Sequence, residues 1–199
     1  HIASTMGLNV FRDSFFKDLD PFYDEKAIAQ SLVNAIQQAN TEIYRRSCTD
    51  PECSGMGTTL VAAYVSRKDA VVANIGDSRA YIISRTGISQ LSRDHSVVED
   101  MIGRGEITRD EAKTHPNRNL ITRALGTGPQ AQTDIFFPTI GDGEWLLLCS
   151  DGLSNIISDT DIMHIVTGAE SVKSACENLV QQTVVRGAPD NVTVAVFKK

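Results

Sequence analysis

Apolar residues recur every three or four positions through the first quarter of the chain, the spacing that places them on one face of a helix. The repeat predicts a first helix over residues 3–16 and a long amphipathic helix over residues 24–46. Between the two, Asp18, Asp20 and Pro21 break the pattern. Two consecutive amphipathic helices are expected to cover one face of a neighbouring layer.

Short runs of β-branched and aromatic residues follow the two helices. Polar turns at residues 67–69 and 76–78 separate the first three runs. The runs occupy residues 58–66, 70–75, 79–84 and 88–91. Because turns this short are typical of hairpins, the spacing predicts an antiparallel meander in which each strand pairs with the next.

The second half of the chain mixes helical and strand patterns. Residues 93–124 are polar and contain two short helical patterns, the second opened by a capping-box sequence from Thr108 to Glu111. The later patterns are a strand at 145–149, helices at 159–166 and 171–185, and a strand at 192–197. Helices before and after a run of strands predict an α+β fold with two mostly antiparallel sheets between helical layers. No linker or repeat divides the sequence, so we expect residues 1–199 to form a single domain.

Composition narrows the function classes. Hydrophobic residues make up 41% and charged residues 22%, close to the globular average, which excludes long disordered or coiled-coil segments. A net charge of −6 disfavours nucleic-acid and anionic-membrane binding, which use basic surfaces. The longest apolar runs, such as residues 145–149, are far shorter than the roughly 20 residues that span a bilayer. We expect a cytoplasmic protein without a nucleic-acid or membrane partner.

The cysteines favour the same compartment. Cys149 and Cys176 lie in apolar surroundings typical of core residues. Cys48 and Cys53 are close enough in sequence for a local disulfide or half of a zinc site. No second cysteine or histidine pair accompanies them, so a reduced protein is the simpler interpretation.

Three aspartates follow or precede apolar strands. Asp77 and Asp151 come directly after predicted strands, and Asp190 precedes the last one. A carboxylate held at a strand end beside glycine is well placed to bind a hard cation such as Mg²⁺ or Mn²⁺. Asp-Gly and Pro-Asp-Asn are also ordinary turn sequences, and spacing alone does not bring the three side chains together.

Motifs spread over most of the chain indicate a family. In order they are Ser54-Gly-Met-Gly-Thr-Thr59, Ile75-Gly-Asp-Ser-Arg-Ala-Tyr81, Asp94-His-Ser96, His115-Pro-Asn-Arg-Asn-Leu-Ile-Thr-Arg-Ala-Leu-Gly126, Cys149-Ser-Asp-Gly-Leu153 and Pro189-Asp-Asn-Val-Thr193. With these motifs the chain closely resembles the bacterial metal-dependent serine/threonine protein phosphatases of the PPM (type 2C) family. The resemblance implies a β-sandwich of two antiparallel sheets flanked by helices.

The resemblance also implies a chemistry and its residues. Family members use two Mn²⁺ or Mg²⁺ ions bridged by a hydroxide that attacks the phosphorus of phosphoserine or phosphothreonine. By resemblance, Asp151 and Asp190 are metal ligands, and Asp77 joins Asp151 in holding a weaker third ion. Asn191 is expected to orient Asp190 by hydrogen bonding.

Residues 93–124 match the family's flap, a segment beside the active site that is thought to touch the protein substrate. His115 lies in this segment, and because it precedes proline it fits a turn-forming role better than proton transfer. The family usually opposes a serine/threonine kinase in signal transduction, so phosphorylated proteins and such a kinase are the implied partners.

Two family stretches do not occur in these 199 residues: an Arg ahead of Asn-Glu-Asp, and Asp-Gly-Met-Gly-Gly-His. The first supplies the phosphate-binding arginine and an acidic ligand, and the second supplies the aspartate that bridges both metals. Gly55-Met-Gly57 is similar to the second, but Ser54 precedes it. The sequence therefore predicts an N-terminally incomplete phosphatase domain, without the opening strands of the sandwich and with no catalytic residue identified.

Two hypotheses of function remain. The first is a phosphoserine/phosphothreonine phosphatase whose activity belongs to a complete metal site, so that the 199 residues alone are inactive. The alternative is a pseudophosphatase, a PPM-fold binding or regulatory module that recognises a partner without turning it over. A tyrosine phosphatase or a P-loop hydrolase is disfavoured because neither a Cys-x₅-Arg loop nor a P-loop occurs.

Overall fold

Helices and strands are interleaved along the chain, and the computed structural model describes residues 1–17, 24–66 and 70–199. The helices are α1 (Ile2–Lys17), α2 (Glu25–Thr49), α3 (Val97–Gly103), α4 (Arg109–Thr114), α5 (Asp151–Ser154), α6 (Asp159–Thr167) and α7 (Val172–Val185). The strands are β1 (Leu60–Val65), β2 (Ala70–Ile75), β3 (Arg79–Ser84), β4 (Gly87–Gln90), β5 (Asp134–Phe136), β6 (Trp145–Cys149) and β7 (Val194–Lys198). The predicted break at Asp18, Asp20 and Pro21 and the predicted turn at 67–69 lie outside the described residues.

The predicted helices form because local signals agree with the hydrophobic repeat. Asp24 caps α2 by accepting a hydrogen bond from the backbone N–H of Ala27 at 2.8 Å. The apolar face of α2, which includes Leu32 and Ile36, is buried. Sequence reasoning missed two short elements, β5 and α5, because three or four residues are too few to show a period.

The predicted meander is wrong at its second turn. β1 pairs with β2 and β3 pairs with β4, both antiparallel, but β2 and β3 belong to different sheets. The first sheet has the order β1-β2-β5 and the second β4-β3-β6-β7. Residues 76–78 therefore carry the chain across the sandwich instead of closing a hairpin. Gly76 permits this exit, since its φ of +110° is rarely adopted by residues with a side chain.

Burial explains why the crossing is preferred to a hairpin. All six residues of β2 are buried, so both faces of this strand need a covering layer. Val71, Ala73 and Ile75 pack with the α1 and α2 helices, whereas Ala70 and Val72 pack between the two sheets. A third cluster joins the other face of the second sheet to α6 and α7. The prediction of two mostly antiparallel sheets between helical layers is confirmed.

The two ends of the 93–124 segment lie side by side. Ser96 and Ile121 form an isolated antiparallel bridge. The backbone N–H of Thr122 donates to the carbonyl oxygen of His95 at 2.8 Å. Both predicted short helices, α3 and α4, lie between these ends, and the capping box of α4 forms between Thr108 and Glu111. The segment thus leaves and rejoins the sandwich through one closed base.

All four cysteines are free thiols, so the local Cys48–Cys53 disulfide that the spacing allowed is not formed. Cys149 is buried as predicted, and burial raises the pKa of its thiol to about 12. Cys176 is only half-buried, which corrects its prediction as a core residue. Across the described ranges, no helix combines the length and apolar character needed to cross a membrane.

Candidate metal centre

The register of the second sheet aligns three strand termini at one end. Arg79, the first residue of β3, pairs with Cys149, the last residue of β6. Cys149 pairs in turn with Val194, the first residue of β7. Because the strands are antiparallel, the residues before β3, after β6 and before β7 all emerge at this end. Two of the aspartates singled out by sequence, Asp77 and Asp151, leave the sheet here.

Hydrogen bonds of the Ser150 backbone and side chain hold the third aspartate beside the second. The Ser150 N–H donates to the carbonyl oxygen of Thr193 at 3.0 Å, and the Thr193 N–H donates to Ser150 Oγ at 3.0 Å. Ser150 Oγ also donates to the carbonyl oxygen of Asn191 at 3.3 Å. Gly152 lets the Asn191 backbone approach, since a Cβ at this position would overlap that carbonyl group. These contacts draw Asp190 toward Asp151.

Burial and neighbouring negative charge raise the pKa values of Asp77 and Asp151. Burial, followed by repulsion from Asp151 and, more weakly, from Asp94, raises the pKa of Asp77 to about 6, although Arg79 opposes the shift. Burial, followed by repulsion from Asp190, also raises the pKa of Asp151. Asp151 is therefore the residue whose charge couples to both of the others. Negative charge concentrated at one sheet end favours a bound cation.

Arg79 supplies a fixed positive charge at the same end of the sheet. Its guanidinium holds both carboxylate oxygens of Asp94, with Nε at 2.9 and 3.0 Å and Nη2 at 2.6 Å. Nη1 donates to the Tyr81 hydroxyl at 3.1 Å. Sequence reasoning gave no role to Arg79 or Asp94, although both lie in quoted motifs, because their pairing spans 15 residues and two elements.

Asn191 and His115, the other two residues singled out by sequence, make hydrogen bonds with residues close to them in the chain. The backbone N–H of Asn191 donates to Asp190 Oδ1 at 2.7 Å, so the contact that orients this carboxylate comes from the main chain of Asn191. His115 follows α4, where its Nδ1 accepts a hydrogen bond from the Asn117 N–H at 3.1 Å. This contact fits the turn-forming alternative for His115.

The chemical type of the donors in Asp77, Asp151 and Asp190 suits a hard divalent cation, since carboxylate oxygens are the preferred ligands of Mg²⁺ and Mn²⁺. Within the part of the chain that the structure describes, no three His, Cys, Asp or Glu side chains converge as a metal-binding group. The coupled carboxylates instead form two pairs that share Asp151. Such a site would leave coordination positions for water, which Mg²⁺ usually retains.

The raised pKa of Asp77 predicts a pH-dependent gain in stability for Asp77→Asn in metal-free protein. A folded-state pKa of about 6, above the ordinary 3.8, means that the carboxyl favours folding when protonated. That contribution is fully present below about pH 3.8 and is lost as the pH rises through about 6. We expect Asp77→Asn to be more stable than the parent by about 2 kcal/mol at pH 7 and nearly equal to it at pH 4.

Urea unfolding at both pH values, in the presence of a chelator, measures this difference. Asp142→Asn is the matched control, because Asp142 is an exposed carboxylate in the loop before β6. Because Asp142 is exposed, we expect Asp142→Asn to change the free energy of unfolding by no more than about 0.5 kcal/mol. A gain for Asp77→Asn that is equal at both pH values would contradict the assignment of the shift to this carboxyl.

Comparisons with known proteins match the chain to protein phosphatases. The sequence model of the family described as Protein phosphatase 2C matches residues 9–101. The chain is 33% identical over 198 residues to the serine/threonine phosphatase stp of Listeria monocytogenes, covering 100% of this chain and 78% of the relative. The PPM Ser-Thr phosphatase MsPP from Mycobacterium smegmatis, solved with cacodylate, matches with a TM-score of 0.86 at 35% identity, over 100% of this chain and 82% of that one. The catalytic domain of the protein phosphatase PstP, solved with 2 manganese ions, matches with a TM-score of 0.84 at 31% identity, over 98% and 79%.

Proposed function

The chain belongs to the protein phosphatase 2C (PPM) family, and from this premise we propose that its reaction is the hydrolysis of phosphoserine and phosphothreonine in proteins at a divalent metal centre. One observation carries the proposal. Asp77, Asp151 and Asp190 flank neighbouring strands at the same end of one sheet. Burial and repulsion from Asp151 raise the pKa of Asp77, and burial and repulsion from Asp190 raise the pKa of Asp151. Buried carboxylates with raised pKa values lower the stability of the metal-free fold. Such carboxylates are typical of functional sites.

In this proposal Asp151 and Asp190 hold two Mn²⁺ or Mg²⁺ ions, and Asp77 and Asp151 hold a weaker third. Bound divalent ions lower the pKa of a coordinated water and neutralise phosphoryl oxygens. Asn191 fixes Asp190 through its backbone N–H. Arg79 places a positive charge near the carboxylates, and its ion pair with Asp94 keeps that charge from being left unpaired.

We also propose that residues 1–199 act as one domain in which 93–124 is the substrate-facing flap and contains His115. The closed base of this segment supports the idea, because a loop anchored at both ends can vary in shape without disturbing the sandwich. The substrates are phosphorylated proteins, and the opposing enzyme is a serine/threonine kinase. Four free thiols favour a reducing, cytoplasmic location.

The test is phosphate release from a phosphothreonine peptide, measured with and without Mn²⁺ on protein that also carries the two family stretches missing from these 199 residues. We expect hydrolysis that depends on Mn²⁺ and stops on addition of a chelator, with little action on the same peptide carrying phosphotyrosine. Retained binding of the phosphothreonine peptide without hydrolysis would instead support the binding-module alternative. Hydrolysis that persists in the chelator would overturn the metal-centred proposal.

A further inference from the structure

His95 connects the base of the 93–124 segment to the crossing between the sheets. Its side chain is only 4% exposed. Nδ1 accepts a hydrogen bond from the backbone N–H of Gly76 at 3.1 Å, and Nε2 lies 3.0 Å from Asp134 Oδ2. Because Nδ1 accepts a hydrogen bond, Nε2 carries the proton and donates it to Asp134. Arg123 Nη1 lies 3.3 Å from the same Nε2, so the hydrogen bond from the Gly76 N–H to Nδ1 is the contact that assigns the tautomer.

The backbone of His95 makes a second connection to the same glycine. Its N–H donates to the Gly76 carbonyl oxygen at 3.0 Å, while its own carbonyl accepts from Thr122 at 2.8 Å. Gly76 is therefore held through both its N–H and its C=O by one residue. That residue simultaneously closes the base of the 93–124 segment.

The opposite side of the crossing is also constrained. A Cβ on Gly76 would overlap the Thr59 side chain, so the residue just before β1 packs directly against this backbone. Thr59 Oγ1 and Ser78 Oγ are 2.9 Å apart and share a hydrogen bond. Residues 76–78 are thus clamped between Thr59 and His95. Asp77 lies at the middle of the clamped segment, and its carboxylate is one of those proposed to bind metal.

Asp134 secures the far side of the imidazole. Its second carboxylate oxygen accepts from Arg123 Nη1 at 3.0 Å, and Arg123 lies at the end of the 93–124 segment. Both ends of that segment therefore reach the same β5 carboxylate, one through His95 and the other through Arg123. The imidazole is fixed from two directions, as a group that positions another must be.

We propose that His95 is a positioning residue that fixes the crossing at residues 76–78, and with it the Asp77 carboxylate, to the base of the 93–124 segment. The effect of His95 on metal binding by Asp77 rests on the proposed function, whereas its effect on the position of residues 76–78 does not. The role needs the ring to be neutral, with Nδ1 unprotonated. His95 takes no part in bond making or breaking.

Two variants separate the contacts of the ring. In His95→Asn, the side-chain oxygen can occupy the place of Nδ1 and accept from Gly76. In His95→Gln, the longer amide reaches toward Asp134 instead. Hydrogen exchange of the Gly76 amide in metal-free protein and Mn²⁺ affinity by titration calorimetry are measured for both. We expect exchange about tenfold faster and affinity at least threefold weaker in His95→Gln, with both within about twofold of the parent in His95→Asn.

Equal changes in the two variants, tracking their loss of unfolding free energy, would show a merely structural residue and overturn the proposal. To guard against variants that fail to fold, the ¹⁵N shifts of the His95 ring are also measured on the unmutated chain. Shifts that place the ring proton on Nδ1 would overturn the proposal as well. If the parent binds no Mn²⁺, the proposed function fails, while Gly76 exchange and the ring tautomer still decide the role of His95.

Discussion

Replacing Asp151 with Asn is expected to weaken Mn²⁺ binding at least about a hundredfold, because losing a ligand should exceed the 10- to 100-fold effect of losing a residue that only orients one. The same change should raise the stability of the metal-free protein. Burial and repulsion from Asp190 raise the pKa of Asp151, which means that its charged form opposes folding. Opposite signs for affinity and stability would identify a residue retained for binding.

Titration calorimetry with Mn²⁺ and urea unfolding in a chelator measure the two quantities. Asp142→Asn is again the control, because it removes one exposed carboxylate before β6, whereas Asp151 follows the strand's other end. Its Mn²⁺ affinity should stay within about twofold of the parent. If Asp151→Asn were less stable than the parent and bound Mn²⁺ unchanged, Asp151 would be a turn residue at the start of α5 and the metal assignment would fail.

Replacing Gly126 with Ala is expected to lower the free energy of unfolding by about 4 kcal/mol, combining left-handed backbone strain and overpacking. Gly126 has a φ of +85°. A Cβ there would overlap the buried side chain of Ile43 and lie 2.9 Å from the carbonyl oxygen of Met56. The Gly126 N–H donates to the buried Asn40 side chain at 2.8 Å, so the loop cannot withdraw without losing this bond.

Gly128→Ala provides the matched control in the same loop. No atom lies within 4 Å of a Cβ built on Gly128, and its carbonyl contact with Asn40 Nδ2, at 2.9 Å, involves only the backbone. Its stability should stay within about 0.5 kcal/mol of the parent in urea unfolding. Equal losses in the two variants would show that loop entropy, not contact with α2, sets the requirement for glycine.

Some of these features were visible in the sequence because they depend on near neighbours. Apolar residues repeated along 24–46 predicted α2, since residues three and four apart share a helix face. The capping box from Thr108 to Glu111 predicted the start of α4, since both partners lie within one turn. The ordered motifs also indicated the family, which the comparisons support.

The pairing of strands was decided only in three dimensions. Residues 76–78 have the length and polarity of a hairpin turn, yet they cross from one sheet to the other. A hairpin and a crossing place similar local demands on three residues. The difference lies in β2, which is buried on both faces and pairs with β1 and β5. The layers that cover both faces of β2 are distant in sequence, so no short stretch of residues predicts this burial.

The sequence by itself determined most helices and strands, the family and the three aspartates as candidate ligands. The tertiary structure alone decided that β3, β6 and β7 are neighbours, which brings Asp77, Asp151 and Asp190 to one sheet end. It also decided the contact between His95 and Gly76, which are 19 residues apart. Periodicity reports which face of an element is buried, whereas the pairing of distant strands depends on the free energy of packing the whole core.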